Sequence, residues 1–161
     1  MSKRFDGAPS RRLILKGAAL AALTAGLPFG ATSAGAATPA RYPEDAFRQK
    51  EQPDAIKALY GRTAESSDKI KLDAPEIAEN GTVVPISVTT SLEKVSSISF
   101  LVSDNPNALA ATYRIPEGTV PAVANRLKMA KTSNVTVIVE ADGKLYSTSK
   151  EVKVTVGGCG G

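Results

Sequence analysis

Residues 69–156 alternate apolar and polar side chains with period two, and turn residues recur about every 8 to 12 positions. Helical periodicity is confined to the part before them. Together these features predict a mainly β chain: an antiparallel immunoglobulin-like β-sandwich with a short N-terminal helical segment and a flexible C-terminal arm. The 161 residues divide into four stretches, 1–36, 37–68, 69–156 and 157–161. Past residue 36 about 125 residues remain, enough for one domain with a modest core.

Residues 43–60 read as helical. Glu44 and Asp45 suit the positive end of a helix, Ile56, Leu59 and Tyr60 share one face, and Gly61 is placed to end it. Pro53 splits the segment as the first residue of a second helix, since proline is tolerated where its missing N–H has no helical partner. Residues 62–68 read as a loop.

Strands follow. Residues 70–72 alternate, residues 83–90 alternate around Val84, Ile86 and Val88, and residues 98–102 form an apolar run closed by Ser103-Asp104-Asn105-Pro106. Residues 109–115 and 124–129 come next. A hairpin joins 135–140 to 144–148 across Ala141-Asp142-Gly143, because Asp-Gly supplies the positive φ of a tight turn. Residues 152–156, with Val152, Val154 and Val156 on one face, form a last strand that runs directly into Gly157. Its valines read as core rather than as a partner interface. With no tryptophan and one cysteine, the sandwich lacks the core disulfide and Trp of antibody domains.

The first stretch has its own logic. Ser10-Arg11-Arg12-Leu13-Ile14-Leu15-Lys16 precedes an alanine-rich apolar run and the triplet Ala34-Gly35-Ala36. This resembles a twin-arginine export signal with Arg11 and Arg12 as its pair, Ile14 where Phe is more usual, and cleavage after Ala36. The apolar run is about 13 residues, against roughly 20 needed to span a bilayer. A periplasmic address is therefore expected. Five of the 20 bases and one of the 16 acids fall in residues 1–36, which leaves 15 of each and a formal net charge of zero. Without a basic excess, nucleic acid and anionic membranes are not expected partners.

The sequence closes with Gly157-Gly158-Cys159-Gly160-Gly161, which holds the chain's one cysteine. Glycines on both sides free the backbone and leave the sulfur unhindered. At roughly 3.3 to 3.6 Å per residue, the thiol reaches about 10 Å beyond Val156. One cysteine makes no internal disulfide, and with no histidine the chain offers no zinc-ligand spacing. No dinucleotide fingerprint, P-loop, haem-attachment or iron–sulfur motif is present, so no cofactor is expected, and co-export with a partner subunit fits the twin-arginine route better. Cys159 is left as a free thiol, a link to another chain, or an attachment point for cargo. Lys153, six residues away, is the nearest base in sequence, so activation has to come from a partner. The sequons Asn80-Gly81-Thr82 and Asn134-Val135-Thr136 read as chance in an exported bacterial-type chain, and Glu76, Glu79, Glu140 and Asp142 as solvated carboxylates.

The twin-arginine signal, the stretch Leu72-Asp73-Ala74-Pro75-Glu76-Ile77-Ala78-Glu79-Asn80-Gly81, residues 98–112 around Asn105-Pro106, and the terminal GGCGG resemble the SoxY family. These are sulfur-carrier subunits of the periplasmic Sox system for thiosulfate oxidation. The resemblance implies a carrier that is not an enzyme and holds no cofactor beyond sulfur bound covalently to Cys159, with Gly157, Gly158, Gly160 and Gly161 as a swinging arm. It implies a heterodimer with a SoxZ-like subunit that lacks its own signal. Transient docking is implied with a haem enzyme that joins thiosulfate to the cysteine, a dinuclear-manganese hydrolase that releases sulfate, and a molybdenum-haem enzyme that oxidises the remaining sulfur. On the residues alone two other classes stay open: a periplasmic binding or structural sandwich joined to another chain by disulfide, and a ubiquitin-like sulfur donor bearing a thiocarboxylate on Gly161.

Overall fold

The structure is a computed structural model that describes residues 42–156. Two short helices, α1 (Glu44–Phe47) and α2 (Gln52–Tyr60), open the described chain. Glu51 is the extended N-cap residue of α2, so the helix begins one residue before the expected Pro53, and Gly61 ends it with φ 71° in the left-handed region.

Nine strands follow among the described residues: β1 (Glu65–Ser66), β2 (Ile70–Asp73), β3 (Ile77–Ala78), β4 (Val84–Thr90), β5 (Val95–Val102), β6 (Leu109–Arg114), β7 (Ala122–Leu127), β8 (Ser133–Ala141) and β9 (Lys144–Val154). They form two sheets. The larger runs β1-β9-β8-β5-β6 with β3 also on β9, and the smaller runs β2-β4-β7. The mainly β sandwich is as expected, while three details differ. First, β1 and β3 were not expected, since two-residue strands exist only by pairing in parallel along β9. Second, 144–148 and 152–156 are not two strands. β9 is continuous because β8 pairs with it from Lys144 to Val152, and the polar run between Ser147 and Glu151 sits on a ladder whose hydrogen bonds do not need apolar side chains. Third, β9 stops at Val154, so Thr155 and Val156 lie between the strand and Gly157. The expected valine row accordingly grades from buried Val152 through half-buried Val154 to Val156, which is 63% exposed.

Packing makes three layers. The inner faces of the sheets bury Val84, Ile86 and Val88 of β4 against Ile98, Phe100 and Val102 of β5 and Val135, Val137 and Val139 of β8. Tyr113 of β6 closes on Phe100 edge to face, with ring centroids 6.1 Å apart. The outer face of the larger sheet is covered by the helices, where Ala46 and Ala55 pack on Leu101, Leu109, Ile138 and Leu145. β8 is thus buried on both faces at its centre, which explains the unbroken apolar run Val137-Ile138-Val139. Each fully buried aliphatic or Phe side chain contributes about 1.5 to 3 kcal/mol. Two hydroxyls lie under the helices, and Tyr60 satisfies both through Ser97 at 3.0 Å and Ser99 at 2.7 Å.

Candidate functional site

The residues expected to carry function, Cys159 with Gly157, Gly158, Gly160 and Gly161, and the export pair Arg11 and Arg12, lie outside the described residues. The structure does describe the ground from which Gly157 departs. β8 pairs with β9 only as far as Ser133 opposite Val152. Beyond that point residues 153–156 would have one ladder fewer, yet their backbone is held from both sides.

On one side the segment after β2 supplies partners. β3 pairs Ile77 with Lys153 and Ala78 with Val154. Lys153 N donates to Glu76 O at 2.9 Å, and Thr155 N to Ala78 O at 3.1 Å. Thr155 Oγ1 donates to Glu79 O at 2.9 Å, and Gly81 N donates to Val156 O at 2.8 Å. On the other side Thr132 takes over where the backbone of β8 ends, its Oγ1 accepting from Val154 N at 3.0 Å. Gly81 is buried and also accepts from Met129 N at 2.7 Å. Asn80 shapes the turn, since its Oδ1 accepts from Thr82 N at 2.8 Å and Thr82 Oγ1 at 2.6 Å. Sequence reading missed these residues as a group. The signals that touched them were the stretch 72–81, which carried the family resemblance without assigning these residues a role, and Asn80-Gly81-Thr82, read as a chance sequon.

A second tied loop lies nearby in sequence. Asn105 Nδ2 donates to Lys128 O at 2.8 Å and its Oδ1 accepts from Ala130 N at 2.9 Å, which fixes the β5–β6 turn to the β7–β8 connection around buried Met129. Asp104 pairs with Lys131 Nζ at 3.1 Å. Its carboxyl is held below its ordinary pKa by hydrogen bonds from Lys131 and Ser133, aided by the charge of Lys131 and opposed by desolvation.

The carboxylates divide. Asp142 is exposed and meets Lys94 at 3.3 Å. Glu140 departs from the expected solvated face: it is half-buried and takes Arg62 at 2.5 Å, Ser96 at 2.8 Å and Ser97 at 3.3 Å. It is a structural brace between the 62–68 connection and the larger sheet. Among the described residues no group of three metal-ligating side chains occurs, and no helix is long and apolar enough to cross a membrane. A cleft of about 590 Å³ opens between β6 and β7, each the end strand of its sheet, over Leu109, Tyr113, Asn125 and Leu127.

Comparison with known proteins adds identity to this geometry. A family model described as sulfur oxidation protein SoxY matches residues 56–159, a span that includes both the 76–81 segment and Cys159. No curated protein sequence matches the chain. Among solved structures, the sulfur carrier protein SoxY from Chlorobium limicola f thiosulfatophilum is 42% identical, with a TM-score of 0.59 over 65% of this chain and 96% of that one. Superoxide reductase (neelaredoxin) from Ignicoccus hospitalis is 18% identical, with a TM-score of 0.50 over 59% of this chain and 98% of that one, a likeness of fold alone. With the family match running through most of the sandwich and on to Cys159, the chain belongs to the SoxY family of sulfur oxidation proteins.

Proposed function

We propose that this chain, a SoxY-family sulfur carrier and not a catalyst, holds its sulfur intermediates covalently on Cys159. Gly157, Gly158, Gly160 and Gly161 act as the arm that presents them to successive enzymes. The observation that carries the reading is that the family match extends to residue 159 and so takes in the chain's one cysteine, flanked by two glycines on each side. Family membership implies a SoxZ subunit and other proteins of the Sox system as partners. Arg11 and Arg12 direct export of the folded pair to the periplasm by the twin-arginine route.

The chemistry balances on one sulfur. The Cys159 thiolate and thiosulfate lose two electrons to a haem enzyme and form a cysteine–S–SO3⁻ adduct with a new S–S bond. Water, directed by a dinuclear-manganese hydrolase, then cleaves the bond between the sulfane sulfur and the sulfonate. This releases sulfate and two protons and leaves a persulfide, whose outer sulfur a molybdenum-haem enzyme oxidises in place to a sulfonate, taking six electrons while three waters supply the oxygens and release six protons. This chain supplies the attachment atom and the reach, since an arm without bulky side chains fits several narrow channels. Ordering such an arm costs about 1 to 2 kcal/mol per residue, which keeps docking brief.

Intact mass spectrometry without reductant tests the reading, using mature protein from cells grown on thiosulfate. An adduct of about 112 Da on the peptide bearing Cys159, or added steps of about 32 Da, removable by reductant, is the expected result. A bare thiol under those conditions, or an adduct on a carboxylate, refutes it.

A further inference from the structure

We infer that residues 79–82 and Thr132 form a clasp that fixes the point from which the Cys159 arm swings, and that this fixed root sets how efficiently partner enzymes capture the thiol. The inference rests on the carrier reading above and concerns residues to which that reading assigns no role.

A strand that outruns its ladder frays, because its backbone groups exchange protein partners for water. β9 outruns β8 after Val152, and Thr155 and Val156 are exposed with little apolar packing to hold them. Six hydrogen bonds nevertheless fall on residues 153–156: to Glu76 O, Ala78 O and Glu79 O, from Gly81 N, and two with Thr132 Oγ1, which donates to Val154 O at 3.5 Å and accepts from Val154 N at 3.0 Å. The last two come from a side chain doing what the missing β8 backbone would do. The Asn80–Thr82 turn presents the Gly81 N–H to Val156 O, the last such contact before the glycine stretch.

A fixed root matters because a tethered group is captured in proportion to its local concentration. From Val156 the sulfur sweeps a radius of about 10 Å, whereas freed back to Val152 it would sweep roughly 25 Å. The volume grows with the cube of the radius, so the thiol's concentration at an enzyme mouth seated beside the root falls about tenfold. Asn80 and Thr132 are positioning residues on this account, and the sulfur's own reactivity is independent of them.

The test uses the mature chain with its partner subunit, as Thr132→Val and Asn80→Ala variants beside wild type. Hydrogen exchange at the amides of Lys153, Val154 and Thr155 is expected to be protected in wild type and at least about tenfold faster in Thr132→Val, with the amides of β8 unchanged. The rate with a small aromatic disulfide reagent should be equal in all three proteins. Thiosulfate loading by the haem enzyme should show kcat/KM about tenfold lower in the variants at unchanged kcat, a split that general destabilisation would not produce. Unprotected amides at 153–155 in wild type overturn the clasp, as do variants that exchange faster yet load within twofold of wild type. A wild-type protein that takes no sulfur on Cys159 overturns instead the carrier reading, and the delivery role with it.

Discussion

The hydroxyl of Tyr60, the last residue of α2, lies 2.7 Å from Ser99 Oγ, a side chain with no solvent exposure at the centre of β5. The same hydroxyl meets Ser97 at 3.0 Å, and Ser99 Oγ donates to Thr112 Oγ1 of β6 at 2.8 Å. One phenol therefore docks the helical layer to the larger sheet and adds a partner for each of two hydroxyls that the helices cover. Tyr60→Phe keeps the ring and removes this link. Ser99 retains Thr112 and Ser97 retains Glu140, so the loss is expected to be about 1 kcal/mol rather than a full desolvation penalty. Denaturant unfolding measures it. Adding Ser99→Ala to Tyr60→Phe should cost less than the sum of the two single changes, and strict additivity would refute the coupling.

The β8–β9 hairpin turns through Asp142 at φ 48° and Gly143 at φ 72°. Two consecutive left-handed residues match the right-handed twist of the paired strands, as in a type I′ turn. A Cβ at Gly143 would meet nothing within 4 Å, so steric crowding adds no cost there. Gly143→Val should therefore lose about 1 to 2 kcal/mol through backbone strain alone. Gly143→Asn, whose side chain tolerates that region, should recover much of the loss. Equal stabilities of the Val and Asn variants would contradict the assignment.

This hairpin was legible in the sequence because Asp-Gly is a local signal, and β4 and β8 were legible because their apolar residues record which faces are buried. The two-residue strands β1 and β3 were not. Glu65 and Ser66 are both exposed, and their strand character comes only from pairing with Tyr146 and Ser147 of β9. The polar centre of β9 concealed its continuity for the same reason, since the ladder to β8 leaves no trace in side-chain pattern. The residue proposed as the attachment point was legible because composition alone isolates Cys159. Its support was not: Thr132, Gly81 and Thr155 act mainly through single hydrogen bonds across 22 to 76 residues of sequence.

Asp104 provides a pH-dependent test. Its folded pKa lies below the ordinary aspartate value of 3.8 because Lys131 and Ser133 bond the charged form. A depressed carboxylate pKa means the unfolded chain binds the proton more readily. The contribution is therefore present above about pH 4 and is lost as pH falls through the folded value. Asp104→Asn should be less stable than wild type at pH 7, and the two unfolding curves should converge in acid, once the carboxyl is protonated in both states. The site is exposed, so high salt should shrink the difference at pH 7. A gap that persists unchanged in acid would show that Asp104 acts through packing rather than charge.

Gly158 precedes Cys159 on the proposed arm, and its lack of a side chain is the property that the carrier role would use. A β-branched residue there restricts φ to negative values and adds two methyl groups beside the sulfur. A channel fitted closely to extended glycine has no room for that addition, and a misplacement on the order of 1 Å can cost a hundredfold in rate. Gly158→Val is therefore expected to lower kcat/KM for enzymatic loading by roughly 10 to 100-fold. Its unfolding transition should coincide with wild type, because the bonds of the clasp fall on residues 153–156 and position 158 lies beyond them in sequence. Reaction of Cys159 with a small thiol reagent should fall far less, since no channel has to be entered. A variant that loads at the wild-type rate with purified enzymes would mean that the thiol is met at the surface, and the glycines would then have no part in delivery.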